Sequence, residues 1–248
     1  MGPRCRKADF LDGRTLDRLI GTTREIQGVN YTITDLISER HQPWFNERWA
    51  VLEATLPDSH DPVIFKTRFQ CNPSFANPYT RDRAVDWGMD SFKHECLALR
   101  ECQDSGSTPK LLAQEKLTQE RNDIYPGGYL TVIVMSKVPG ERIIEFLRDL
   151  TEDEKETIRA DLIGILEYLR LRNWNFAEQQ PDQIFYDRAT KRTAPVGLSR
   201  SGRNSASPST ESPLTAESID VTAFCLEFLS ALRTPEGTSE GQAELPIR

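Results

Sequence analysis

Histidine is scarce in this sequence, and most of the signatures that mark catalytic or metal chemistry are missing. The three histidines, His41, His60 and His94, have no partner at catalytic or metal-binding spacing. The five cysteines form no C-x-x-C pair and none sits at zinc-like spacing from a histidine, so no structural metal is expected. An odd number of thiols reads as reduced cysteine. Cys96 and Cys102 fall in a predicted helix and read as small packing residues. No run approaches the ~18 apolar residues of a membrane span. The opening segment MGPRCRKADF lacks the apolar core of a signal peptide, and Arg6 stands where a myristoylation signal needs Ser or Thr. The expectation is a cytoplasmic protein with no membrane contact. No glycine occurs from Val29 to Phe69, which excludes a Gly-rich, phosphate-cradling loop there. Walker sequences and internal repeats are absent, and GLSRSG at 197–202 misses the Gly-x-Ser-x-Gly spacing of a nucleophile elbow.

The apolar content is nonetheless sufficient for a core. Of 248 residues, 38% are hydrophobic and 8% aromatic, which suits one two-lobed domain or two small ones. A net charge of −7 argues against a surface that is basic throughout and leaves room for a local basic patch. Residues 11–26 include a short amphipathic segment. Residues 49–69, WAVLEATLPDSHDPVIFKTRF, read as two strands around a turn at Asp58-Ser59-His60-Asp61-Pro62. Residues 72–87 read as a polar, Pro-containing insertion, followed by a helix over 90–103 with Phe92, Cys96 and Leu99 on one face. A strand is predicted over 110–115 and a loop over 122–128. The strongest strand lies over 129–138; it is apolar on both faces up to Ser136 and so is expected inside a sheet, with Pro139-Gly140 ending it.

The remainder reads as helical. A short helix is predicted over 143–150. A longer one starts at Thr151, an N-cap with Glu154 three residues on, and runs to about 172 with Ile158, Leu162, Ile165, Leu166 and Leu169 as its buried stripe. Residues 204–218, rich in Ser, Thr and Pro, read as a surface loop, 221–232 as a closing helix and 236–248 as a disordered tail.

The densest pattern lies in residues 172–201: Pro181, then Ile184-Phe185-Tyr186-Asp187, a turn at Thr190-Lys191, and Ala194-Pro195-Val196. This frame resembles the catalytic segment of protein-kinase-like and aminoglycoside-phosphotransferase-like proteins, in which H-G-D-x-x-x-x-N precedes a short strand, a turn and a magnesium-binding Asp. The reactive positions depart from that pattern. Phe176 stands for the histidine, Glu178 for the catalytic Asp, Gln183 for the metal-binding Asn and Gly197 for the second metal-binding Asp. Gly127-Gly128-Tyr129-Leu130 through Val138-Pro139-Gly140 resembles the hinge region of fungal proteins of this kind. The resemblance covers roughly residues 63–197. It implies an α+β, two-lobed protein-kinase-like fold, with a β-rich N-lobe and one main helix over 1–138 and a reduced helical C-lobe over 139–235.

Within that resemblance, Lys66 in a strand and Glu95 in the following helix imply the ion pair that positions nucleotide phosphates, and so a substrate-binding role. The plain alternative is an edge-strand lysine and a solvated glutamate. The missing Gly-rich loop, the lost oxygen ligands at Gln183 and Gly197, and the extra methylene of Glu178 together speak against magnesium, ATP and phosphotransfer. No cofactor is expected.

Arg188, Lys191, Arg192, Arg200 and Arg203 place five positive charges in residues 188–203 with no acid among them. Such a run meets RNA phosphates by counter-ion release, or is simply a solvated loop. Trp174 and Phe176 nearby are stacking candidates whose plain alternative is core packing. Glu152, Asp153 and Glu156 open the long helix, where the helix dipole alone favours carboxylates. The same run, EDEKE, resembles the D-D-x-x-E motif of fungal arginine-containing cyclodipeptide synthases, which join amino acids delivered on tRNAs. That resemblance implies Glu152, Asp153 and Glu156, with Glu178, as catalytic acids, the basic run as the tRNA contact and aminoacyl-tRNAs as partners. The sequence thus suggests a kinase-like scaffold turned to diketopiperazine synthesis. The alternative is a non-catalytic pseudokinase that binds a protein partner, and a small-molecule kinase using Glu178 is a third possibility.

Overall fold

The computed structural model describes residues 14–57, 59–76, 78–176, 181–200, 202–203 and 212–224, and all that follows concerns these. They form a mixed α/β structure with one sheet-rich part and a few helices. The strands are β1 (Thr23–Ile26), β2 (Val29–Gln42), β3 (Glu47–Leu56), β4 (Ser59–Gln70), β5 (Leu111–Thr118) and β6 (Tyr129–Ser136), hydrogen-bonded in the order β1-β2-β3-β4-β6-β5. Every pairing is antiparallel. Helix α1 (Arg81–Cys102) connects β4 to β5. Then come β7 (Glu141–Arg142), α2 (Ile143–Phe146), α3 (Glu152–Arg170), β8 (Trp174–Asn175), β9 (Ile184–Asp187), β10 (Arg192–Pro195), β11 (Gly202–Arg203) and α4 (Ile219–Thr222). No described helix is long and apolar enough to cross a membrane.

The sheet curls until its two edges meet. On the β1 side, the Gln27 amide donates to the Glu115 carboxylate of β5 at 2.9 Å, and Arg24 lies 3.9 Å from both Glu120 and Asp123. The enclosed face carries one apolar cluster, which includes Ile33, Leu52, Phe65, Phe69, Leu130 and Val134, and Leu16 and Leu19 plug it. Glu39, fully buried, ties that plug down by accepting from the amides of Thr15 and Leu16, both at 2.9 Å.

The outer face of the sheet packs against α1. A second cluster joins the apolar side of α1 (Phe92, Cys96, Leu99, Cys102) to Ile133 and Met135 of β6 and to the buried stripe of α3. Strand β6 is therefore covered on both faces, which is why its residues are apolar on both, as its sequence predicted. Trp174 and Phe176 belong to this cluster, so core packing accounts for them. Cys96 and Cys102 are packing residues as well, and burial pushes their thiols up to about 12 and about 11.

Three expectations need correcting. The segment after β4 is shorter than 72–87, because α1 already begins at Arg81. Its first turns bury Ala84 and Gly88, small residues that carry little hydrophobic signal. Gly88 is required there, since a Cβ would lie 2.6 Å from Glu47 Oε1 and 2.7 Å from the Tyr129 hydroxyl. The helix predicted over 143–150 divides into α2 and a 3-10 turn at Leu147–Asp149, and Leu150 is extended. The closing helix starts at Ile219 rather than 221, and its predicted continuation past 224 lies outside the described residues. The predicted tail, Cys5, Cys225 and most of the Ser/Thr/Pro-rich stretch also lie outside them.

Candidate functional site

Strand alternation places Lys66 and Arg68 on the outer face of β4, opposite Val51 and Trp49 of β3 and beside Ile133 and Thr131 of β6. Helix α1 crosses this face and lowers Glu95 onto both cations. Lys66 Nζ donates to Glu95 Oε1 at 2.6 Å, and an Arg68 Nη contacts Glu95 Oε2. Lys66 therefore lies on an interior strand, and Glu95 is only 2% exposed, so neither fits the plain alternative of a surface pair.

A second buried carboxylate stands close by. Glu47 accepts hydrogen bonds from the Tyr129 hydroxyl at 2.7 Å and from the Trp49 indole N–H. The Trp49 ring stacks on Phe45 with centroids 5.6 Å apart and lies under three basic side chains, Arg68 at 4.2 Å, Lys66 at 5.4 Å and Arg40 at 5.7 Å. Arg68 also donates to Ser91 Oγ at 3.0 Å, and Ser91 donates in turn to the Ser199 carbonyl at 2.8 Å. That relay fastens the sheet, α1 and the 3-10 turn Leu198–Arg200 together at one point.

The cluster holds two basic side chains and two carboxylates, and burial acts on all of them. Burial pushes the Lys66 ammonium down, with Glu95 opposing and Arg68 adding to the shift. Burial alone would raise the Glu95 carboxyl, but Lys66 and Arg68 more than reverse it and hold Glu95 below the usual carboxylate range. Burial raises Glu47 despite Arg68 and the two donated hydrogen bonds. Two buried basic side chains thus share one carboxylate, and burial works against the charged form of Glu47 and of Lys66 alike. Among the described residues Arg68 Nε has no hydrogen-bond partner.

The β9–β10 hairpin forms as its sequence predicts. The turn puts Lys191 at φ 52°, and Asp187 accepts from the Ala189 amide and the Thr190 hydroxyl. At its far end Val196 N donates to the Gln183 carbonyl at 2.8 Å, and a Cβ on Gly197 would lie 3.1 Å from Gln183 Nε2. The two positions that would hold magnesium in the resembling family are therefore adjacent. They offer one neutral amide and a backbone with no side chain, and this pair does not fit a magnesium ion. Glu178 lies outside the described residues.

The remaining predicted residues are dispersed. Glu152, Asp153 and Glu156 are exposed at the start of α3, with Glu152 paired to Lys155 at 2.7 Å and Glu156 to Arg159 at 2.5 Å. Arg188 lies over Phe146 and donates to Glu154 at 2.9 Å, which brings one member of the basic run beside this acidic start. The rest of the run goes elsewhere. Arg192 donates to the Gly106 carbonyl at 3.0 Å, Arg203 pairs with Glu101 at 2.6 Å over the Trp174 ring, Lys191 is exposed in its turn, and Arg200 ends the turn Leu198–Arg200.

Sequence reading missed Arg68, Glu47 and Trp49. The available signal was the two-residue alternation that puts 66 with 68 and 47 with 49 on one face. Among the described residues no three His, Cys, Asp or Glu side chains converge as a metal site.

No protein-family model matches the chain, and no curated protein sequence does. Among solved structures, the kinase PK-1 of Cydia pomonella granulovirus is similar over 70% of this chain and 52% of that one, with 18% identity and a TM-score of 0.45. The chain thus spans about half the length of that kinase.

Proposed function

We propose that the protein is a kinase-like scaffold that holds a nucleotide polyphosphate at the Lys66–Arg68–Glu95 centre without magnesium and transfers no phosphate. One observation carries this reading: Lys66 and Arg68, both buried, share the single carboxylate of Glu95. A carboxylate divided between two buried basic groups leaves each short of a full counter-charge, and an anionic ligand would supply it. The placement supports the kinase-like part, because the lysine comes from an interior strand and its glutamate from the helix that links that strand to the sheet's far edge. Gln183 and Gly197 support the absence of metal-dependent transfer, since they provide no charged oxygen.

The test is thermal melting with ATP, ADP or pyrophosphate, in EDTA and in magnesium, alongside a labelled γ-phosphate transfer assay. Stabilisation should be equal in EDTA and magnesium, and Lys66→Met should reduce it. Magnesium-dependent transfer, or no stabilisation by any of the three, defeats the proposal.

A second reading, tRNA-dependent cyclodipeptide synthesis, has one observation in its favour: Arg188 meets the exposed acidic start of α3 through Glu154. A diketopiperazine in extracts of a host expressing the chain, lost in Glu152→Gln and Asp153→Asn, would put that reading first.

A further inference from the structure

A cavity of about 370 Å³ opens between the loop after α1, the second half of α3 and strand β10. It shares no residue with the Lys66 centre, and the inference drawn from it is independent of that reading. The volume lies at the small end of ligand pockets.

Two opposite charges line this cavity without pairing with each other. On α3, Asp161 accepts from the Thr193 amide at 2.9 Å through Oδ2, and among the described residues Oδ1 accepts nothing. On β10, Arg192 is steadied by the Gly106 carbonyl at 3.0 Å and has no carboxylate partner among the described residues.

Two residues of the lining, Tyr168 and Thr193, carry hydroxyls that are buried behind it and have no hydrogen-bond partner among the described residues; Thr193 is only 2% exposed. Orphaned buried hydroxyls cost a fold stability and call for a partner. The helix is also notched here. A Cβ on Gly164 would meet nothing within 4 Å, so no packing demand accounts for a glycine that weakens a helix interior.

We propose that this cavity binds a free α-amino acid, with its ammonium on Asp161, its carboxylate on Arg192 and its side chain over Gly164. The separated charges match a zwitterion in sign, and the notch at Gly164 leaves room for its side chain.

The standard L-amino acids at millimolar concentration, each with its N-acetyl and carboxamide derivative, are the probes, and melting temperature and calorimetry are the readouts. At least one free amino acid should stabilise the wild type while both of its blocked derivatives fail. Asp161→Asn and Arg192→Gln should each weaken binding by about tenfold or more, the range expected for a charged hydrogen bond. Gly164→Leu fills the notch, keeps α3 helical and should abolish binding while melting no lower than the wild type. The inference is overturned if no amino acid binds the wild type, if a blocked derivative binds as well as its parent, or if Gly164→Leu leaves the response intact.

Discussion

Glu95 is the residue on which the sheet–helix junction turns, because it bonds Lys66 through one carboxylate oxygen and Arg68 through the other. Replacing it by Gln leaves two buried cations facing an amide, and breaking a buried pair in this way costs about 3–5 kcal/mol. Lys66→Met should cost clearly less, since Glu95 keeps Arg68 and the methionine can pack on the Trp49 ring where the lysine lay. Urea unfolding of the two variants gives the comparison; equal losses would mean that Arg68 does not share the carboxylate in solution. The Lys66–Glu95 pair was legible because a lysine in a strand and a glutamate in the next helix form a recognisable juxtaposition. Arg68, Glu47 and Trp49 were not, because polar residues alternating along a strand ordinarily mark a solvent face. Here α1 covers that face, and Gly88 lets it approach closely enough to do so.

At the scale of elements, legibility followed how regular each repeat was. The start of α3 was readable to the residue. Thr151 accepts from the Glu154 amide at 3.2 Å, and Glu154 reaches back to the Thr151 amide at 2.9 Å. The Thr151 bonds, with help from Arg188, hold Glu154 below the usual carboxylate range. Thr151→Ala should destabilise the protein by about 1 kcal/mol, measured by chemical denaturation, and a change near zero would show that packing alone fixes this helix end. Strand β2 escaped detection for the opposite reason. Register shifts between Ile33 and Asp35 and between Leu36 and Ser38 break its alternation. Its buried positions fall at 31, 33, 36, 39 and 42, mostly three residues apart, which imitates a helix rather than a strand. The hairpin before it turns on Gln27 and Gly28, both at positive φ, where the usual signal is Asn-Gly.

Among the described residues, charged groups are enclosed on both faces of the main sheet, and these pull the pH dependence in opposite directions. Glu39 sits inside the curled sheet; burial alone would raise its carboxyl, but the bonds from Thr15, Leu16 and Arg48 outweigh burial and hold it below the ordinary 4.5. Glu95 is held below the same value by its two cations. The stability these two contribute is present above pH 4.5 and is lost as the pH falls through their lower folded values. Glu47 is raised, chiefly by burial, so its contribution has the reverse sign. It is fully present below 4.5 and is lost as the pH rises towards and through its folded value, because the unfolded chain then releases a proton that the folded protein retains. Stability should therefore climb to a maximum close to pH 4.5, decline above it, and level off once Glu47 ionises in the fold. Urea unfolding at intervals from about pH 3.5 to 7.5 tests this, since the slope at each pH reports the difference in bound protons between the two states. Glu47→Gln, which cannot ionise, should remove the decline and leave the acid limb in place. A stability that keeps rising from pH 4.5 to neutrality in the wild type would mean that Glu47 is ionised in the folded protein or that Lys66, which burial pushes down, is neutral there, and in either case the cluster around Arg68 and Glu95 would be balanced from within.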